Sequence, residues 1–482
     1  LAPKQVRFGV LLFFSYCFYF LFSHRLIIFL AGATGITYIV GRLAATGEKK
    51  RRKAILTVGV WLLLGMLLVM KYSGFFAENL NLLFGAAQSS LRLPVRQFLL
   101  PLGISFYTLS AIGYMADVYW KKIEPERNIA KLALFLSFFP IIMEGPICMY
   151  SDTADALTKG EDIRSENLVR GYMRIGWGLI KKVVIADRLY VVVQTLFDGY
   201  ASYHGVMIVV AAVSYTVQLY MEFSGCMDIV IGSAECFGVT LPENFAQPFV
   251  SKNASEFWRR WHISLGRWFK TYIFYPVSMS KLTRKWNRFA KKHTSKYVKL
   301  MVASAIALFP VWVCNGLWHG ASWSYLFYGM YYFVVIMIEP AMKKLCEAWK
   351  ITEATAWWNV LRILKTWVII FTGELFFRAD TLGIGMHMFA SLFRDFELHR
   401  LWDGTLLTLG LGRVEIGIIL ASLLLVGVVN HFREHGADVR GVILQKRLPV
   451  RWLVYLALIF VVLIFGAYGP GYQEVDLIYA GF

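Results

Sequence analysis

Two histidines sit in aromatic, otherwise apolar stretches: His262 in Phe257-Trp258-Arg259-Arg260-Trp261-His262-Ile263-Ser264, and His319 in Cys314-Asn315-Gly316-Leu317-Trp318-His319-Gly320. Imidazole is the side chain best suited to moving a proton near neutral pH, and burying one inside apolar protein is costly unless it has a partner or a task. Asn315 lies four residues before His319, so on a helix the two share a face, and the amide either orients the imidazole or donates to an oxyanion. Gly316 and Gly320 let backbone approach closely there. The competing reading is a core histidine bonded to a carbonyl, and for Asn315 a helix–helix hydrogen bond.

Around these two, Trp258, Trp261, Trp318 and Trp323 read as aromatic walls, and Glu144, in the turn Glu144-Gly145-Pro146, as the lining of a cavity. An irregular turn at membrane depth persists where it lines a cavity. Arg259 and Arg260 match the geometry of phosphate groups on a donor molecule, with snorkelling to lipid phosphate as the plainer alternative. Glu222, Asp228 and Asp187, in apolar surroundings, call for pairing with Lys181, Lys182 or Arg188. The other seven histidines, among them His24, His204, His293 and His387, lie near charged, loop-like or interfacial segments. Six cysteines without a CxxC spacing read as core thiols, and no metal site is expected.

The elements that position these residues are membrane helices. The 482-residue chain is 57% hydrophobic, 16% aromatic and only 17% charged, far more apolar surface than one soluble core buries. The net charge of +19 comes from short clusters between apolar runs, such as Lys49-Lys50-Arg51-Arg52-Lys53, and from 281–299, which holds eight Lys/Arg and no acid. That distribution places anionic lipid, not nucleic acid, opposite the charge, and 281–299 in the cytoplasm. Spanning runs of about 17–25 residues fall near 8–22, 26–45, 54–72, 97–116, 205–223, 299–316, 322–342, 358–377, 412–430 and 451–467. The segments 132–148 and 168–195 read as re-entrant or interfacial, 242–276 as buried in protein, and the basic 281–299 stretch as a hinge loop. Pro310 and Gly316 predict a kink or local unwinding in the helix that carries His319. No cleavable signal peptide is apparent, and Leu1 in place of Met leaves room for residues upstream.

An ordered series of blocks resembles the membrane-bound O-acyltransferase (MBOAT) family, and within it the alginate O-acetyltransferase-like branch of polysaccharide acetylases. The series runs through Met70-Lys71-Tyr72, Leu100-Pro101-Leu102-Gly103-Ile104-Ser105-Phe106-Tyr107-Thr108, Phe138-Phe139-Pro140 with Glu144-Gly145-Pro146-Ile147, and Lys181-Lys182-Val183-Val184-Ile185-Ala186-Asp187-Arg188. It continues with Phe223-Ser224-Gly225, Leu241-Pro242-Glu243-Asn244-Phe245, both histidine motifs, Phe376-Phe377-Arg378-Ala379, and the closing Tyr468-Gly469 to Ile478-Tyr479. Departures are Glu222 where Asp is usual, Cys226 for an aromatic, Ser278-Met279-Ser280 at a Gly-rich site, and one apolar helix fewer at the start.

The resemblance implies an all-α polytopic integral membrane protein, one MBOAT domain over 1–482, with about 11 transmembrane helices plus re-entrant helices around a central tunnel. It implies acyl transfer from a cytoplasmic thioester, most simply acetyl-CoA, for O-acetylation of an exported or cell-wall polysaccharide, with His319 as general base. It implies no bound cofactor, the acyl thioester being a substrate. The setting would be the bacterial plasma (inner) membrane, and the partners membrane lipids, an extracytoplasmic acetyltransferase and an acyl carrier. D-alanyl transfer to teichoic acid, and a non-enzymatic transporter or flippase using the histidines as proton relays, are the alternative readings. The transporter would show paired repeats, which the sequence lacks.

Overall fold

The protein, seen in a computed structural model, is described at residues 3–88, 90–96, 98–160, 162–348, 356–469, 472 and 475; the closing Ile478-Tyr479 motif lies outside the described residues. Among them every regular element is helical. In chain order they are α1 (Lys4–Ser23), α2 (Ile27–Ala45), α3 (Lys49–Leu67), α4 (Ser73–Ala86), α5 (Ile104–Tyr119), α6 (Ile129–Ser137), α7 (Tyr150–Lys159), α8 (Ser165–Leu179), α9 (Asp187–Asp198) and α10 (Val206–Cys236). Then come α11 (Ala254–Arg260), α12 (Ile263–Phe269), α13 (Tyr275–Ser278), α14 (Lys281–His293), α15 (Lys296–His319), α16 (Trp323–Ala348), α17 (Ala356–Arg378), α18 (Leu382–Ser391), α19 (Arg413–Glu434), α20 (Val439–Leu444) and α21 (Leu448–Phe465).

Among the described residues, seven helical stretches are long and apolar enough to cross a membrane. The first, Val6–Ala45, contains two of the expected spans, separated at His24, where the backbone turns to φ 43. The expected span at 97–116 is replaced by α5, which starts only at Ile104 because Pro101-Leu102-Gly103 makes a turn with Gly103 at φ +63. A Cβ on Gly103 would fall 1.8 Å from the Ile142 carbonyl oxygen, so only glycine fits that junction.

The long central helix α10 is largely enclosed by protein and packs against α8, α9 and α17. Its contact with α8 is backbone on backbone. A Cβ on Gly171 would meet the Gly232 carbonyl at 2.6 Å, and one on Gly178 the Gly225 carbonyl at 2.5 Å. Paired glycines of this kind replace the hydrophobic drive that lipid does not supply between helices.

Three expectations need correction. Residues 168–195 are not a re-entrant piece but lie within a continuous helical run, α8 through the π-helical turn Ile180–Ala186 into α9. The charges that argued against burial are paired there: Lys181 with Asp228 at 2.5 Å, and Lys182 with Asp187 at 2.6 Å and Glu222 at 3.6 Å. The basic 281–299 stretch is not a hinge loop. It forms α14, capped by the Ser280 side chain, followed by the first turn of α15, with the Trp286 indole donating to the Lys299 carbonyl at 3.0 Å. Its lysines and arginines mark the polar face of an amphipathic helix, a pattern that composition alone reads as loop. Finally, α15 runs unbroken through Pro310 to His319. Proline removes one hydrogen bond, a loss that packed membrane helices accommodate.

Candidate active site

His262 is the break between α11 and α12, not a residue within either. Its backbone is left-handed, at φ 45 and ψ 54, a conformation costly for a residue with a side chain and one that clusters at functional sites. Asn244 holds it there. The Ile263 amide donates to the Asn244 carbonyl at 3.0 Å, while Asn244 Oδ1 accepts the Ser264 amide at 3.1 Å and the Ser264 hydroxyl at 2.9 Å. The same Oδ1 lies 3.2 Å from His262 Nδ1. An acceptor oxygen opposite Nδ1 requires the proton on Nδ1, so Nε2 carries the lone pair.

The preceding turn is fixed from both ends. Asn253 caps α11 by accepting from the Glu256 amide, and Glu339 of α16 accepts the Ala254 amide at 2.5 Å and the Ser255 hydroxyl at 2.7 Å, an acid at a helix N-terminus.

His319 is the last residue of α15. The terminal carbonyls that a helix leaves unsatisfied are taken by the π-helical turn Leu68–Tyr72: Lys71 Nζ donates to the Trp318 carbonyl at 2.7 Å, and the Tyr72 hydroxyl donates to that of Leu317. Close approach of α15 and α16 builds the rest of the socket. A Cβ on Gly316 would lie 2.4 Å from the Tyr325 carbonyl, and one on Gly329 2.3 Å from that of Trp312. The His319 ring consequently stands edge-on to Phe377 at 4.8 Å and to Tyr328 at 5.9 Å.

Both histidines are 3% exposed, and both line one cavity of about 80 Å³ together with Trp258, Trp261, Trp312 and Asn315. That space holds two or three waters or a short acyl group, at ~30 Å³ per water. Asn315 shares the His319 face of α15, and its Oδ1 has no hydrogen-bond partner among the described residues. A second cavity, of about 390 Å³, is lined by Tyr190, Tyr215, Gln218, Arg378 and Asp380. Tyr325 and Phe377 belong to its wall and also pack on His319, at 6.2 and 4.8 Å between rings.

Other expected site residues lie elsewhere. Trp318 packs edge-on to Phe106 at 5.3 Å, away from the cavity. Trp323 is 56% exposed and donates to Asn79 Oδ1 at 2.9 Å, on the outside of the helical body. Glu144 is buried against Cys226 of α10, in a turn where a Cβ on Gly145 would strike Ile141 at 2.3 Å; the turn is enclosed by protein and does not line the cavity. Arg260 is held by Glu434 at 2.8 Å and Glu256 at 3.1 Å, which leaves Arg259, exposed, as the guanidinium open to a phosphate.

Asn244, Tyr328 and Glu374 were not marked as site residues by the sequence reading. Asn244 stands in the Pro242-Glu243-Asn244-Phe245 block, and Glu374 is a lone acid in the apolar run of α17, a signal that by itself marks a functional group.

Residues 125–378 match the MBOAT, membrane-bound O-acyltransferase family. The chain is 31% identical over 445 residues to a probable alginate O-acetylase of Pseudomonas syringae pv. tomato, covering 91% of this chain and 80% of that protein. A peptidoglycan O-acetyltransferase of Helicobacter pylori is 28% identical over 76% of this chain and 70% of its own length. A teichoic acid D-alanyltransferase of Bacillus subtilis is 28% identical over 57% of this chain and 68% of its own. With a buried histidine pair on one cavity, membrane-length helices around it and these relatives, the chain is a multi-pass O-acyltransferase and belongs to the MBOAT family, on its alginate O-acetylase-like branch.

Proposed function

We propose that this enzyme moves an acetyl group from a cytoplasmic thioester, most simply acetyl-CoA, to hydroxyls of an exported or cell-wall polysaccharide at a bacterial plasma membrane. The observation that carries the reading is the position of His319 between two cavities. The aromatic one follows α15 back toward the basic α14 side through Asn315, Trp312 and Val311; the polar one lies beyond the end of α15. With α14 facing the cytoplasm, the donor enters the first space and the acceptor the second. The longer match to alginate O-acetylases than to D-alanyltransferases supports acetyl over D-alanyl.

In this reading the acceptor oxygen attacks the thioester carbonyl carbon, His319 takes the hydroxyl proton, and the carbon–sulfur bond breaks to release the thiol. Asn315 turns an amide N–H toward the oxyanion, and His262, with its proton fixed on Nδ1 by Asn244, holds the donor on the α14 side. The tyrosines, Gln218, Arg378 and Asp380 of the larger space suit a polyhydroxyl acceptor or the hydroxyl of an extracytoplasmic transferase that completes delivery. Arg259 meets the donor's phosphates or an acidic carrier.

The test is acetyl transfer and thioester cleavage by purified protein in lipid nanodiscs. His319→Ala is expected to lower the rate at least ~10²-fold while the protein still elutes as a folded species. Retention of more than about a tenth of the activity removes the general-base assignment. Failure of the unaltered protein to consume any acyl thioester overturns the thioester-donor assignment.

A further inference from the structure

Glu374 is a buried acid that the chemistry above leaves unused. It lies inside α17, 1% exposed, and its Oε1 accepts the Tyr328 hydroxyl at 3.0 Å, while Oε2 has no hydrogen-bond partner among the described residues. No Lys or Arg pairs with it among those residues, unlike Asp228, Asp187 and Glu222. The next helical position back is Gly373, where a Cβ would lie 2.3 Å from the Tyr332 hydroxyl, itself buried and without a hydrogen-bond partner among the described residues. A carboxyl kept in so apolar a place calls for a task.

The task is legible in what Tyr328 touches. Its ring stands at 85° to the His319 imidazole, 5.9 Å away, and packs on Phe377 at 4.9 Å and Tyr332 at 4.9 Å. Trp258, a wall of the histidine cavity, lies 6.2 Å from it. Every one of these neighbours is a flat ring, and ring-on-ring packing alone allows Tyr328 to slide or tilt. The hydrogen bond to Glu374 adds a directional contact at its hydroxyl end.

We infer that Glu374 is a positioning residue: through the Tyr328 hydroxyl it fixes the ring that forms one wall of the His319 socket, and so sets the direction in which the imidazole meets the acceptor. The inference rests on the general-base reading of His319. It assigns to the carboxyl the role of hydrogen-bond acceptor, which an amide oxygen performs equally well. A misplaced catalytic group loses rate without losing substrate binding.

The test uses Glu374→Ala, Glu374→Gln, Tyr328→Phe and the Glu374→Ala/Tyr328→Phe double variant, each purified in nanodiscs with its unfolding temperature recorded. Glu374→Ala and Tyr328→Phe are each expected to lower kcat about tenfold to a hundredfold, with the donor KM within about twofold of its original value. Glu374→Gln is expected to keep at least half the rate, and the double variant to be no slower than the worse single one, because both changes break the same bond. An inactive but folded Glu374→Gln overturns the inference, since the carboxyl's charge or proton would then matter; so does full activity in Tyr328→Phe, or multiplicative losses in the double variant. His319→Ala assayed alongside separates the two claims. If it stays active, the base assignment falls whatever Glu374 does; if it is inactive while Glu374→Ala keeps its rate, only the positioning inference falls.

Discussion

The α8–α10 contact and the His319 socket both bury polar side chains inside the helical body, but they do it in opposite ways. Between α8 and α10, Asp228 takes Lys181 at 2.5 Å and Arg174 at 2.9 Å, and Arg174 goes on to Glu243 at 2.5 Å. The space enclosed among these groups is about 10 Å³, and Arg174 and Asp228 also reach the wall of a larger, mostly apolar cavity of about 510 Å³. Around His319 the neighbours are rings, Asn315 and Glu374 each keep an oxygen without a hydrogen-bond partner among the described residues, and cavities of about 80 and 390 Å³ lie on either side. Both regions border space, so what separates them is pairing: charge whose partners are all supplied by the fold is structural, and polar atoms without a partner are available for chemistry.

The sharpest way to break that contrast is to unpair the first region. Asp228→Ala leaves Lys181 and Arg174 buried without their shared carboxylate, and is expected to destabilise the protein by about 3–5 kcal/mol, the usual cost of removing one partner of a buried pair. Thermal unfolding in detergent reads this out, with specific activity per folded molecule little changed. If the variant unfolds normally but loses turnover, the cluster belongs to the chemistry and the contrast dissolves.

Asn244 joins the two regions, since its neighbour Glu243 belongs to the ion-pair chain, between Arg174 and Arg433, while its own amide orients His262. Asn244→Ala frees the His262 ring and the left-handed turn, and is expected to slow acyl transfer about tenfold, less than loss of His319 itself. Asn244→Asp keeps the acceptor oxygen and is expected to retain more activity than the alanine variant. Equal losses in both would show that the side chain only shapes the turn. The smallest effect is expected at Trp323: because it is exposed and outside both cavities, Trp323→Ala should leave turnover within about twofold. A tenfold loss would put the tunnel wall back where the sequence placed it.

Much of the site was legible as residue types. His262, His319 and Asn315 stand out by chemistry and by a four-residue spacing, and the structure sets all three on one cavity. Trp318 stands beside His319 in sequence but packs on Phe106, because an aromatic next to a histidine is its neighbour in space only if the helix face agrees; Glu144 was read from a turn at membrane depth, and that turn packs against α10 and lies outside the histidine cavity. Lys181 and Lys182 were foreseeable partners of Asp228, Asp187 and Glu222 because a buried carboxylate needs a cation, whereas Arg174, the second partner of Asp228, was not foreseen and Arg188 donates instead to the Val184 and Phe465 carbonyls.

Apolar run lengths and the clustering of basic residues, by themselves, determined that this chain is a bundle of membrane helices, since every backbone polar group in lipid must be satisfied within its own segment. The sequence also determined which imidazoles were worth watching. Only the tertiary structure decided that a left-handed turn held by Asn244 puts His262 opposite the end of α15. It alone decided that glycine contacts bring Tyr328 and Glu374 behind His319, and that Pro310 leaves α15 whole. Those outcomes depend on how closely two backbones approach and which helix face meets which, and neither is encoded in the order of residues along one helix.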